Sequence, residues 1–285
     1  MKTYSPSGKD YVHICEIPRS EIDKIDFATF NQPKETLTSF YNRQTKKPDV
    51  LINGGFFGIS GGLPCFGLID EGKVAADDGA RVWGIGVTGN TDIAYGKIDA
   101  KKWRDWISGY PVLVVNGQRA TITDALEVNY RARRSMLGFN ANNIYVIAVD
   151  APGMLFYEMQ NLMLELKCEF GINLDGGGST RLMVEGETIT NGSENRAVDN
   201  GIAIYLKTVK KVIYRVQLGA FLSKTGAEKY KETIQNLGGV YANAFVKKVG
   251  LVHKVQVGAF SYRDYAENMV NDLKSKGFKS FIVSE

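Results

Sequence analysis

The sequence predicts an α+β protein in two parts: a mixed, strand-rich domain over residues 1–209 and a small βαββαβ module over residues 210–285. Three observations carry this. The C-terminal part repeats itself at an offset of 39 residues. The N-terminal part alternates short apolar runs with glycine-rich turns and holds one clear amphipathic helix. Charge divides at the same place: residues 210–285 carry 13 Lys and Arg against 6 Asp and Glu, and the rest carries 22 against 25.

Hydrophobic residues make up 44% of the 285 and charged residues 23%, an ordinary globular balance that needs no metal or disulfide to build a core. Cys15, Cys65 and Cys168 lack any paired metal-ligand spacing and read as buried or half-buried thiols. Only His13 and His253 add imidazoles, so no metal or cofactor is expected. The first residues lack the apolar run of a signal peptide, so synthesis in the cytoplasm without a leader is expected. No stretch approaches the roughly 20 apolar residues of a membrane-spanning helix. The basic tail points to an anionic partner.

The repeat is explicit. Tyr214-Arg215-Val216-Gln217-Leu218-Gly219-Ala220-Phe221 recurs as His253-Lys254-Val255-Gln256-Val257-Gly258-Ala259-Phe260. In each copy the valines and leucine face one way and the glutamine the other, which is strand spacing. Ala227, Tyr230, Ile234 and Leu237, then Ala266, Met269, Val270 and Leu273, follow at helical spacing. Gly238 and Gly277 come next, where left-handed caps are expected. Second strands are predicted over 241–246 and 280–283, giving a ferredoxin-like sheet with two helices on one face.

At these residues the module resembles the SPOR domain, over about 212–285. The resemblance implies binding to peptidoglycan glycan strands stripped of stem peptides. The glycan would lie on the open sheet face, with Gln217, Gln256, Tyr214 and Tyr262 as expected contacts. Amide side chains suit sugar hydroxyls because they both donate and accept. An RNA-binding sheet of the same topology would present stacked aromatics in its first strand, and Val-Gln-x-Gly does not, so nucleic acid is not expected.

In the N-terminal domain, strands are predicted over 50–52, 112–115, 144–149, 172–174 and 202–206, and a helix over 155–166 with Phe156, Met159, Leu162, Met163 and Leu166 on its core side. Trp103 and Trp106 fall in a helical-looking stretch, 101–108. No dinucleotide or Walker fingerprint occurs. Two segments carry possible chemistry: Asn53-Gly54-Gly55-Phe56-Phe57 and Asp175-Gly176-Gly177-Gly178-Ser179-Thr180, each after a buried strand. Successive glycines let backbone N–H groups converge on an anion, with Asp175 held beside that cradle. Each alone is equally a tight turn. Phe56 and Phe57 read as core beneath the site, and Asp70, Asp77 and Asp78 as loop acids.

Together with residues 67–72, 134–138 and 196–200, these segments resemble the phosphodiester glycosidase family, in the same order and spacing, over about 10–207. Two departures stand: Ser135 replaces the family's usual threonine, and residues 14–18 lack the aspartate often found in the first strand. The resemblance implies cleavage between the anomeric carbon of a sugar and a phosphate oxygen. It makes Asp175, Glu194 and Arg134 the expected catalytic groups, Arg134 as a two-pronged phosphate clamp. Asn53, Gly54, Gly55, Gly176, Gly177, Gly178, Ser179, Arg196 and Asn200 become the expected sugar- and phosphate-binding set. Arg196 has the alternative role of a scaffold partner for Asp175 or Glu194. Any divalent ion would sit at Asp175, although no ligand cluster requires one.

Joined, the two parts imply a cell-wall hydrolase that cleaves a sugar-1-phosphodiester, its sugar an N-acetylhexosamine, in a bacterial cell-wall or surface glycopolymer, after release from the cell or as a phage-associated protein. The competing readings are a non-catalytic wall-binding or adhesion protein, and a glycosidase of soluble nucleotide-linked sugars.

Overall fold

The computed structural model describes residues 1–30, 34–58, 64–79, 81–122, 129–190, 195–208 and 212–284. They form two compact units, Met1–Lys207 and Thr208–Glu285. No helix among the described residues is long and apolar enough to cross a membrane.

The α+β class stands. Where one mixed sheet was expected, the described strands of the first unit form three antiparallel sheets. The largest runs Lys2–Tyr4, Val12–Pro18, Asn143–Met154, Ala132–Phe139, Phe170–Asn173, Val112–Val115 and Gln118–Arg119. A second runs Glu187–Thr188, Leu182–Val184, Val50–Asn53, Asn200–Leu206 and Ile22–Thr29.

The two sheets face each other, and the period of two along each strand sorts residues between layers. Cys15, Ile17, Leu137, Val146 and Ile172 meet Ile25, Val50, Ile52, Ile202 and Ile204 in the central core. The alternate residues Ile14, Met136 and Ile147 face outward and are covered by the helix Phe156–Glu165 through Phe156, Met159, Leu162 and Met163. Leu51, Ala203 and Tyr205 likewise pack with Leu37 and Phe40 of the helix Leu37–Arg43. Strands buried on both faces explain the continuous apolar runs of the sequence.

The third sheet runs Lys73–Ala76, Leu68–Asp70, Asp105–Ser108, Trp83–Val87 and Ile93–Lys97. It corrects the expectation of a helix over 101–108: Asp105–Ser108 pairs with both Leu68–Asp70 and Trp83–Val87. Trp103 and Trp106 are buried there, their indole N–H groups donating to the carbonyls of Lys97 and Gly96. Of the cysteines, Cys15 and Cys168 are buried and Cys65 is exposed.

The second unit has the strand order Phe245–Val249, Val252–Phe260, Tyr214–Phe221, Phe281–Ser284, all antiparallel. The helices Lys224–Gln235 and Arg263–Ser275 cover one face, where Ala227, Ile234, Ala266, Met269 and Leu273 pack on Val216, Leu218 and Val257. Residues 239–243 form a 3-10 turn, so the strand expected from 241 starts at Phe245.

The repeated Gly-Ala-Phe has a packing cause. A Cβ on Gly219 would lie 2.9 Å from the Phe221 ring, and one on Gly258 2.3 Å from the Phe260 ring. Gly258 also has φ +75°, which an L side chain rarely adopts. Gly258→Ala should therefore destabilise this unit by about 1–3 kcal/mol, and Gly219→Ala by less. Thermal unfolding of residues 208–285, followed by the signal of its tyrosines, reads the difference.

Candidate active site

The site forms where the two large sheets meet at their strand ends. Asn53 ends one strand of the smaller sheet and is fully buried. Its Oδ1 accepts from the Ser135 hydroxyl at 2.7 Å and from the Arg181 N–H at 3.2 Å. Its Nδ2 donates to the Asp175 carbonyl at 2.8 Å. The Asp175 N–H donates to the Gly54 carbonyl at 3.0 Å, the Gly54 N–H to the Asn200 carbonyl at 3.0 Å, and the Gly55 N–H to Asn200 Oδ1 at 2.7 Å. The Asn200 Nδ2 donates to Asp199.

The structure places four of the expected contact residues in the scaffold behind the loop. Asn53, Gly54, Gly55 and Asn200 do not line the cavity; they hold the strand ends that carry Asp175. A glycine turn after a strand looks the same in sequence whether its amides face a ligand or the chain. Ser179 is also buried and off the cavity wall. Glu194 lies outside the described residues.

Asp175, Gly176, Gly177, Gly178, Arg134 and Arg196 do come together, lining a cavity of 760 Å³. The glycine loop is set by sterics from behind: a Cβ on Gly176 would approach the Arg133 carbonyl oxygen to 2.7 Å, and Gly177 has φ +59°. Arg133 supports the same loop through its side chain, which donates to the Thr180 carbonyl at 3.0 Å and to Asp150 at 3.1 Å. Burial pushes the Asp175 carboxyl above its ordinary range, opposed by the Ser179 hydroxyl, the Gly176 N–H at 2.9 Å and the charge of Arg196.

Arg134 is held differently from the expected two-pronged clamp. Its Nε and Nη2 donate to the carbonyls of Met154 and Tyr130, at 3.3 and 2.6 Å. Its guanidinium lies over the rings of Phe156 and Tyr130, 4.6 and 5.6 Å from their centroids. Burial lowers its pKa from the usual guanidinium value. It therefore acts as a fixed, poorly hydrated cation, a setting in which an incoming anion is strongly favoured.

Sequence reasoning missed much of the rest of the lining: Phe66, Arg81, Trp83, Tyr110 and Tyr130, as well as Asn173. These residues sit in loops and strands without a spacing signal. Phe56, expected as core, lines the cavity and packs on Phe66 at 4.9 Å, whereas Phe57 packs with the Phe30 and Phe40 cluster. Among the described residues, no group of three His, Cys, Asp or Glu side chains is placed to hold a metal ion.

On the open face of the second unit, cross-strand pairing sets Phe281, Gln217, Gln256 and Phe245 in one row. The glutamines are 5% and 3% exposed, and Gln256 Nε2 lies 3.5 Å from Gln217 Oε1. Phe281 is exposed, and Arg215, on the same face as Gln217, lays its guanidinium 5.1 Å from the Phe245 centroid. The outward surface is thus Phe245, Phe281 and Arg215, with the glutamines beneath. Tyr214, two residues before Val216, shares the helix-side face and packs on the core. Tyr262 is 69% exposed but precedes the helix Arg263–Ser275, off the sheet.

The family model described as phosphodiester glycosidase matches residues 46–205. The chain belongs to the phosphodiester glycosidase family. A second model, for the SPOR domain, matches residues 210–284, so a SPOR domain follows the glycosidase-family domain.

Two solved structures agree with the family's fold. The catalytic domain of zebrafish N-acetylglucosamine-1-phosphodiester α-N-acetylglucosaminidase, auto-inhibited by its pro-peptide, is 16% identical, with a TM-score of 0.54 over 72% of this chain and 88% of that one. A hypothetical protein from Synechocystis is 13% identical, with a TM-score of 0.60 over 72% and 61%. The peptidoglycan-binding domain of the B. subtilis cell wall lytic enzyme CwlC is 32% identical over 28% of this chain and 96% of that one, with a TM-score of 0.25. No curated protein matches the chain. In this member of the phosphodiester glycosidase family, the described cavity therefore presents one carboxylate, Asp175, amid three arginines, Arg81, Arg134 and Arg196.

Proposed function

We propose that this chain is a hydrolase that cleaves a sugar-1-phosphodiester in a bacterial cell-wall or surface glycopolymer, brought to its substrate by peptidoglycan binding through the SPOR domain. The observation that carries the reading is the pairing of Asp175 with a glycine-loop cradle and the stacked Arg134 in one cavity. Its site of action is the cell wall, and the sugar an N-acetylhexosamine.

The chemistry follows from the groups present. The bond between the anomeric carbon and the bridging phosphate oxygen breaks, and its electron pair stays on that oxygen. A phosphomonoester leaves readily, so charge stabilisation matters more than protonation of the leaving group. The amides of the Gly176–Gly178 segment and the cations Arg134 and Arg196 stabilise the departing phosphate. Ionised Asp175 stabilises the positive charge developing at the anomeric carbon. Water adds hydroxide to that carbon and its proton passes to the departing phosphate or to solvent, so the products are the free sugar and a phosphomonoester. In the SPOR domain, the Phe245 and Phe281 rings offer apolar faces to sugar C–H surfaces, and Arg215 offers donors to hydroxyls. Tethering the enzyme there raises the local substrate concentration.

The test is release of free N-acetylhexosamine from purified wall polymer and from UDP-N-acetylglucosamine, beside pulldown on stripped peptidoglycan. The expected result is turnover by the full chain, and pulldown lost in the Phe245→Ala and Phe281→Ala double variant. Pulldown without turnover of any such donor would leave a wall-binding protein instead.

A further inference from the structure

A second ring-stacked guanidinium lines the cavity, and the cleavage chemistry above makes no use of it. Arg81 lies 4.1 Å from the Phe66 ring centroid and 5.1 Å from that of Tyr110. Its Nη1 donates to Asp78 Oδ2 at 2.8 Å, and its backbone N–H to Asp78 Oδ1 at 2.8 Å. Among the described residues its Nε is buried without a hydrogen-bond partner. The rings beneath it are themselves packed, Phe56 on Phe66 at 4.9 Å and Phe66 edge-on to Tyr110 at 6.4 Å. Tyr110 is tied to the strand that carries Asp175: its N–H donates to the Asn173 carbonyl at 2.9 Å, and its carbonyl accepts from the Asn173 side chain at 2.6 Å.

The arrangement repeats that of Arg134 over Tyr130 and Phe156. Two guanidinium groups, each seated on two aromatic faces, line one cavity. A single phosphodiester carries one negative charge, which Arg134, Arg196 and the glycine amides already meet. At 760 Å³ the cavity also has the size of a site for a whole extended ligand rather than one sugar ring. A cation held in place by stacking and a carboxylate loses little freedom when it binds an oxyanion.

We propose that Arg81 forms a leaving-group subsite for a second phosphate, beyond the phosphate whose bond to the sugar is cut. The preferred substrate is then a sugar carried on a diphosphate or on a repeating phosphodiester chain. This rests on the glycosidase reading for its biological meaning, but binding tests it separately.

Calorimetric titration of the full chain with inorganic phosphate and with pyrophosphate reads the subsite without turnover. The wild type is expected to bind pyrophosphate about tenfold more tightly, and Arg81→Gln to lose that preference. Asp78→Asn, which removes the competing carboxylate, is expected to strengthen pyrophosphate binding. Arg81→Lys keeps the charge without the planar fork and should be intermediate. Equal affinity of the wild type for both anions, no measurable pyrophosphate binding, or an unchanged preference in a folded Arg81→Gln protein overturns the proposal. Turnover then separates the sources. A larger Arg81→Gln loss on UDP-N-acetylglucosamine assigns a nucleoside diphosphate, and a larger loss on wall polymer assigns a phosphodiester chain. A pyrophosphate preference with no turnover on either donor sinks the glycosidase reading and leaves the anion subsite standing.

Discussion

Asp175→Asn lowers kcat by about 10²–10⁴-fold and at the same time raises the melting temperature at pH 7. The loss of rate follows from removing the one carboxylate described in the cavity. The gain in stability follows from the direction of its pKa. Burial holds the folded-state value above the ordinary 3.8, despite the Ser179 hydroxyl, the Gly176 N–H and Arg196. As pH rises above 3.8, the unfolded chain loses this proton first, so stability falls across that window. Above the folded value the penalty is complete, and asparagine removes it. Scanning calorimetry should show the variant more stable at pH 7, with the gap closing as pH drops below 3.8. The same shift places the acid limb of the wild-type rate profile above 3.8, because the ionised form is the one that works. An asparagine variant that melts below the wild type at pH 7 would refute the electrostatic account of Asp175.

The second large effect is structural. Asn53→Ala strands three groups at once: the Ser135 hydroxyl, the Arg181 N–H and the Asp175 carbonyl. A buried polar group left without its partner costs about 1–3 kcal/mol. Allowing for rotation of the Ser135 hydroxyl, the variant should lose roughly 3–5 kcal/mol, a fall of roughly 6–20 °C in melting temperature for a unit of this size. Ser135→Ala is the control. It leaves Asn53 Oδ1 with the Arg181 N–H and should cost only about 0.5–1.5 kcal/mol. Comparable losses in the two variants would mean that Asn53 is not the joint between the sheets.

These two residues show how much of the site could be read along the chain. Asp175 and its three glycines stand in one segment, after the buried strand Phe170–Asn173, and they face the cavity together. Asn53 stands in an equally suggestive segment, yet its side chain serves the scaffold. The difference arises because its partners are 82, 122 and 128 residues away. Nothing within its own segment says whether the amide meets a ligand or Ser135. Arg134 was found, but its seat on Phe156 and Tyr130 was not, since that seat joins a strand to a helix and to a loop. Arg81 and its aromatic partners were missed altogether, because no periodic pattern links Phe66, Arg81 and Tyr110.

The α+β class, the repeat in the tail, the helix Phe156–Glu165 and the glycine caps were legible along the chain: Gly238 and Gly277 have φ +71° and +84°. The helix and the caps depend on residues a few positions apart, where periodicity and backbone freedom act directly, and the repeat shows itself as like segments at a fixed offset. Tertiary structure alone decided which face each aromatic serves. Tyr214 joins the core while Phe245 and Phe281 line the open face, and Trp106 sits in a strand rather than a helix. It also decided that Asn53 and Asn200 hold the strand ends beside Asp175 rather than line the cavity. A hydrogen bond or a stacked ring forms only when distant strands are brought into register, and local propensity carries no information about that distance.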